Sequence, residues 1–366
     1  MKNKMEKTKV IAMYLPQYHR IKENDEWWGE GFTEWTNVKK AMPLYKGHVQ
    51  PRKPYENNYY DLSDETTMER QMKMAKEYGV DGFCFYHYWF SGKKLLEKPI
   101  EKLLHSKEVI LPYCLCWANE PWTRRWDGRS GAEHVLMPQK YGNEDDWRKH
   151  FEYLKGFFAQ EQYIKVDGKP LFVIYKISEV ERQKQMIDCW NELAKKNGYP
   201  GLFILMMNRA TVTEKTINYG DGVIDFEPFA TRTEIRAAGR DFLYRKYNGK
   251  RKENKNVIYN VIDYAEFCEE MVNKYVARNK NHFLGFFAGW DNSPRRGIKT
   301  ELIFENNTPQ NFEKYFRIQY NKSIQLENEF LFINAWNEWG EGTFLEPDEK
   351  YKFGYLDAIK KVKEEV

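Results

Sequence analysis

No apolar run in this chain approaches the roughly 20 residues that a membrane-spanning helix needs. The start, Met1 to Lys7, is charged, but the apolar run that follows is short and meets Pro16, which is not the pattern of a secretory leader. The expected location is therefore the cytoplasm. Cysteine is scarce, with five among 366 residues, an odd count. Cys114 and Cys116 alternate within an apolar run, where a bridge between them is geometrically disfavoured, and no histidine lies near enough to suggest a zinc site. Buried free thiols are expected, with no metal site and no cofactor. A strong excess of one charge is missing too. The net charge of +4 gives no argument for nucleic acid as a partner. No linker rich in Pro, Gly or Ser divides the chain and no internal repeat is visible, so residues 1–366 read as one domain. These patterns set no oligomeric state.

Aromatic residues are what the chain has in excess. They make up 16% of it, with 12 Trp and 25 Tyr, more than a core requires. Amphipathic rings of this kind line binding clefts as well as cores.

Short apolar runs alternate with amphipathic stretches along the whole length. The runs predict strands at 10–15, 82–88, 111–117, 171–175, 202–207, 222–226, 284–290 and 330–335. The amphipathic stretches predict helices at 64–78, 94–105, 145–160, 178–197, 264–278, 310–325 and 355–365, with a short turn near 213–218. Ser63 or Asp64 and the capping-box pair Ser178 and Glu181 mark helix starts, and Gly79 and Gly198 mark ends. Eight strands, each followed by a helix, form the pattern of an α/β fold, a (β/α)8 TIM barrel. The structural alternative is an open doubly wound sheet. It would want a glycine-rich phosphate turn after the first strand, where this chain has Leu15-Pro16-Gln17-Tyr18-His19. Strand-to-helix loops are long, at 16–63, 118–144, 227–262, 291–309 and 337–354. Long loops in compact domains are usually functional, and in a barrel these share the face that carries the active site.

The last strand runs into Trp336-Asn337-Glu338-Trp339-Gly340-Glu341-Gly342. Two carboxylates beside aromatic surfaces at a strand end suit glycosidic-bond chemistry. In a helical or tight turn, which Gly340 and Gly342 favour, residues three apart face the same way. The plain alternative is a pair of solvated surface carboxylates. After the third strand comes Trp117-Ala118-Asn119-Glu120-Pro121-Trp122, with Trp126 beyond it. Asn-Glu-Pro resembles the acid/base motif of the large retaining-glycosidase clan, but that clan carries it on the fourth strand and its nucleophile on the seventh. Here the positions are the third and the eighth. Glu120 is therefore read as a substrate-binding or site-supporting group, or as a partner of Arg124 or Arg125. After the seventh strand stand Asp291 and the pair Arg295-Arg296. Asp291 suits sugar hydroxyls, and each arginine offers a planar fork for phosphate or carboxylate unless it is solvated or paired locally. Tyr14, Gln17, His19, Trp35, His87 and Glu227 join the candidate substrate-binding set from strand ends and loops, with Trp117, Asn119, Trp336 and Asn337. The basic run 245–255 reads as a solvated loop.

Taken together, Tyr14-Leu15-Pro16-Gln17-Tyr18-His19, the Trp117 to Trp122 segment, Asp291-Asn292-Ser293-Pro294-Arg295-Arg296 and the Trp336 to Gly342 segment resemble the WbsX-type glycosyltransferase family, also described as glycoside hydrolase family 99-like. The resemblance covers almost the whole chain. It implies a barrel enzyme acting at α-glycosidic, mannoside-like bonds, with an oligosaccharide or activated sugar as substrate. By the family 99 scheme, Glu338 is the base on the sugar 2-hydroxyl and Glu341 the acid on the leaving oxygen, with a 1,2-anhydro sugar between two steps and overall retention. WbsX-type proteins are associated with O-antigen and capsule synthesis, which leaves transferase and hydrolase both open. A non-catalytic glycan-binding barrel is the alternative from another class, and the intact carboxylates argue against it.

Overall fold

The computed structural model describes residues 8–106, 109–124, 134–209, 219–237, 244–250, 256–274, 276, 279–300 and 302–366. All eight predicted strands are present, within a few residues of the predicted bounds. They are β1 (Lys9–Tyr14), β2 (Gly82–Phe90), β3 (Tyr113–Trp117), β4 (Lys169–Ile174), β5 (Phe203–Asn208), β6 (Gly222–Asp225), β7 and β8 (Phe330–Asn334). Each pairs in parallel with its neighbour in chain order, and β1 also pairs with β8, Val10 opposite Leu331. Strand β7 is split. His282–Phe283 pairs with β6, and Gly285–Phe287 pairs with β8, so the barrel is nearly closed through a strand in two pieces. The reason lies at residue 285. A side chain there would run into the carbonyl oxygen of Asp225, so only glycine lets the chain cross so close to the end of β6. The predicted continuation to residue 290 is not strand.

Burial on both faces explains the unbroken apolar character of the strands. All nine residues of β2 and all five of β3 and of β8 are buried, between the barrel interior and a helical layer. Helices Glu65–Glu77, Lys98–His105, Glu144–Phe158, Gln183–Lys196, Tyr264–Asn273, Pro309–Gln325 and Gly354–Glu364 build that layer. Asp64, Asn143, Asp263 and Thr308 cap four of them by accepting backbone N–H bonds.

Two helix starts differ from expectation. The helix predicted from 94 begins at Lys98, because Pro99 belongs in a first turn, and Lys93–Leu95 instead folds back antiparallel onto β2. The helix predicted from 178 begins at Gln183. Ile177–Glu179 is a separate 3₁₀ turn and Val180, buried and extended, breaks the run, so Ser178 and Glu181 do not cap it. The helix predicted over 264–278 ends at Asn273. The turn expected near 213–218 lies outside the described residues. Part of the run read as a basic loop is strand Tyr244–Lys250, paired with Asn256–Asp263. All five cysteines are buried and unbridged. No helix among the described residues is long and apolar enough to cross a membrane.

Candidate active site

The segment after β8 doubles back at once. Asn337–Glu338 pairs antiparallel with Thr343–Phe344, and between them Trp339–Glu341 forms one 3₁₀ turn. With about three residues per turn, positions i and i+3 eclipse, so Glu338 and Glu341 project to the same side. Gly342 ends the turn at φ 65°, a left-handed value that favours glycine. Gly340 is required for a different reason. A Cβ at that position would overlap the Glu34 carboxylate and press on Arg295.

Arg295 organises the site. Its Nε donates to Glu34 Oε1 at 2.8 Å, one terminal nitrogen donates to Glu338 Oε2 at 2.8 Å, and the other lies 2.7 Å from Glu341 Oε1. One buried guanidinium thus holds three carboxylates from two distant parts of the chain. Burial pushes the Glu338 carboxyl up to about 8; Arg295 pulls the other way, and the charges of Glu341 and Glu34 add to the rise. Burial also raises Glu341, against the pull of Arg295 and of Arg209. The two glutamates share one cation, so they titrate as a pair.

A fourth carboxylate, Glu346, is buried behind this turn and braces it. Glu346 accepts from the indoles of Trp336 at 3.1 Å and Trp339 at 2.7 Å, from Gln71 at 2.7 Å and from Tyr60 at 2.9 Å. Burial raises its carboxyl to about 7, with those four donors opposing. Asn337 clips the turn to the end of β1 by exchanging hydrogen bonds with the Leu15 backbone at 2.7 and 3.0 Å. Tyr18 donates to the Asn337 carbonyl and accepts from Trp339 N–H at 3.3 Å.

Glu338 and Glu341 form part of the wall of a cleft of about 430 Å³ at the C-terminal ends of the strands. Glu120, Arg295 and Arg296 from the candidate set line it too, as do Tyr86, Tyr88, Tyr175, Lys176 and Arg209, which the set omits. Other candidates lie behind it. Asp291, fully buried, accepts from His48 at 2.8 Å and Gln50 at 2.6 Å, and its backbone N–H donates to the Glu341 carbonyl at 2.7 Å. Burial favours its neutral form, but the bonds from His48 and others hold its carboxyl down to about 2. Glu227 is buried against Thr231, its carboxyl raised by burial to about 8. Asn119 ties the end of β3 to the Lys176 backbone at 2.8 and 2.9 Å. Tyr14 donates to Gln71 and Trp35 to the Tyr60 carbonyl. Gln17 and His19 are buried, and burial lowers the His19 ring to about 4. Trp336 is wholly buried. His87 and Trp117 face the helical layer, where both rings meet His150. Trp126 lies outside the described residues.

Strand alternation was the available signal for the omitted tyrosines. If His87 points out, Tyr86 and Tyr88 point in. With both faces buried, however, the pattern does not say which set is which. Glu34 opens the short helix Glu34–Lys40, far in sequence from the last strand, and carries no local signal. Among the described residues no group of three or more His, Cys, Asp or Glu is placed to hold a metal ion.

The family model described as glycosyltransferase WbsX matches residues 10–359. The chain belongs to the WbsX glycosyltransferase family. It is 34% identical over 354 residues to the uncharacterized protein WxcX of two strains of Xanthomonas campestris pv. campestris. That match covers 96% of this chain but 49% of WxcX, so the chain spans about half the length of the curated relatives it matches. Among solved structures it is similar to the GH99 endo-alpha-mannosidase from Bacteroides thetaiotaomicron, with 15% identity, a TM-score of 0.55 and coverage of 97% of this chain and 96% of that one. A glycoside hydrolase-like protein gives 14% identity and a TM-score of 0.57, covering 98% of this chain and 94% of that one. At such identities the likeness is one of fold.

Proposed function

We propose that this WbsX-family chain cleaves or transfers at α-glycosidic, mannoside-like bonds with retention, using Glu338 and Glu341, in the metabolism of bacterial surface polysaccharides. The observation that carries the reading is the Arg295 clamp, which presents the buried Glu338 carboxyl and the partly exposed Glu341 carboxyl side by side at the barrel mouth. In the first step ionised Glu338 takes the proton of the sugar 2-hydroxyl. The 2-oxygen attacks C1, the C1–O bond to the leaving group breaks, and Glu341 supplies the proton to that oxygen. The product is a 1,2-anhydro sugar. In the second step Glu341 takes a proton from water or an acceptor hydroxyl, whose oxygen opens the ring at C1, and Glu338 returns its proton to O2. Two inversions give retention, and the pair begins and ends with one proton. Burial supports this economy because it disfavours ionising both carboxyls together. Arg295 donates to both, so it supports either placement of the proton.

The test is to incubate the protein with α-linked oligosaccharides and nucleotide sugars and to follow products by mass spectrometry and the product anomer by NMR. A retained α-product that disappears in both Glu338→Gln and Glu341→Gln is expected, with free sugar marking hydrolysis and a new oligosaccharide marking transfer. An inverted product, or activity lost only in Glu120→Gln, would refute the assignment. Tight glycan binding without any product would favour the non-catalytic barrel.

A further inference from the structure

Arg209, just past β5, differs from Arg295 in how it is held. Its guanidinium lies 4.7 Å from the ring centre of Tyr175, 4.9 Å from that of Phe229 and 5.7 Å from that of Phe226. Rings fix its position without occupying its N–H donors. Its Nε is buried and has no hydrogen-bond partner among the described residues. The carboxylate beside it, Glu120, lies 3.7 Å from one terminal nitrogen, too far for a hydrogen bond. Lys176 Nζ is 3.4 Å from the other Glu120 oxygen. Glu120 is thus a loose counter-ion between two cations, with 39% of its side chain exposed, whereas the Arg295 contacts of 2.7 to 2.8 Å are tight. The Arg209 side chain is 27% exposed at the cleft, but its buried Nε is an unused donor whose penalty an incoming anion relieves. Lys176, Arg209 and Arg296 line the same cleft as the glutamate pair.

We propose that Arg209, flanked by Lys176 and Arg296, receives an anionic group of the substrate, a phosphate or a sugar carboxylate, which displaces Glu120 from its loose pairing. This rests on reading the cleft as the glycan site and adds that the glycan is charged. The planar fork of a guanidinium matches either anion in two-point contact, which makes Arg209 a specificity determinant rather than part of the proton chemistry.

Calorimetry with inorganic phosphate, D-glucuronate and methyl α-D-mannopyranoside tests it on the intact chain without requiring turnover. At least one anion should bind the wild type. Arg209→Gln should weaken that anion at least about 10-fold, as expected for loss of a charged hydrogen bond. Arg209→Lys keeps the charge among the rings but not the fork, and should fall between. Glu120→Gln should tighten anion binding severalfold, since it removes the competitor, and the neutral mannoside should respond to neither change. Preference for phosphate or for glucuronate identifies the group, and either supports the proposal. No anion binding to the wild type, or anion affinity unmoved by both Arg209→Gln and Glu120→Gln, would overturn it. Failure of the glutamate mechanism shows separately, as product formation that survives Glu338→Gln.

Discussion

Replacing Glu338 by glutamine should separate what the buried carboxylate costs the fold from what it does in the reaction. The folded carboxyl titrates near 8, against an ordinary value of 4.5. A carboxyl raised in the folded state favours folding fully below its unfolded value and loses that contribution as pH rises through the folded value. The wild type should therefore lose stability between about pH 4.5 and pH 8 through this group. Glutamine does not titrate, and its amide oxygen still accepts from Arg295, so the variant escapes that loss. A rise of this kind is worth at most a few kcal/mol. Glu341 and the water in the cleft readjust, so a relative gain of about 1–3 kcal/mol is expected at pH 8.5 compared with pH 5. For a chain of this length, that is a rise of roughly 1–4 °C in Tm. Activity should fall by about 1,000-fold or more under the same conditions. Thermal unfolding of both proteins at the two pH values, with product formation alongside, decides it. A variant destabilised equally at both pH values would show that Glu338 is not held in a costly environment, and the reasoning about the clamp would be wrong.

Glu341→Gln should recover part of its lost turnover on an α-glycosyl fluoride, whose leaving group needs no protonation, while Glu338→Gln should not; equal rescue of both would exchange or abolish the assigned roles. Gly340→Ala should lower kcat about 100-fold or more, because its Cβ displaces Glu34 from Arg295, and near wild-type kinetics would show that the clamp tolerates movement. Glu346→Ala should cost about 3–5 kcal/mol in urea unfolding, since four buried donors lose their acceptor together, and a loss under 1 kcal/mol would mean that water replaces it without penalty.

The strands were legible because burial on both faces leaves continuous apolar runs, and alternation with amphipathic stretches then points to the barrel. The tight turn after the last strand was legible as well, since Gly340 and Gly342 favour it, but the antiparallel return of Thr343–Phe344 was not. Nor was orientation. In Phe85-Tyr86-His87-Tyr88-Trp89 every residue is aromatic or imidazole, so the pattern is compatible with either set facing the cleft, and His87 faces the helices. Partners distant in sequence were equally invisible. Arg295 reads as one half of an arginine pair, and only the fold brings it to Glu34, 261 residues away. The split in β7 depends on a backbone approach at Gly285 that composition does not encode. Helix starts at 94 and 178 followed amphipathic periodicity, which continues through residues that a proline or an extended valine removes from the helix.

Bringing Glu34, Glu338 and Glu341 to one guanidinium is unfavourable on its face, because each buried carboxylate loses hydration that a single cation cannot restore three times. The surrounding bonds show how the fold sustains it. Asn337 and Tyr18 fix the backbone of the turn, Glu346 holds the indoles of Trp336 and Trp339, and Asp291 fixes the Glu341 carbonyl, so the backbone that carries the carboxyls is held in place. The remaining way to relieve the repulsion is to keep a proton. Burial raises both carboxyls, so the retained proton belongs to the pair; the proposed mechanism requires it on Glu341 once substrate is bound, for delivery to the leaving oxygen, with the charge on Glu338 as the base. The clamp would then serve the chemistry by being incomplete: a second cation as tightly bound as Arg295 would ionise both glutamates and remove the acid.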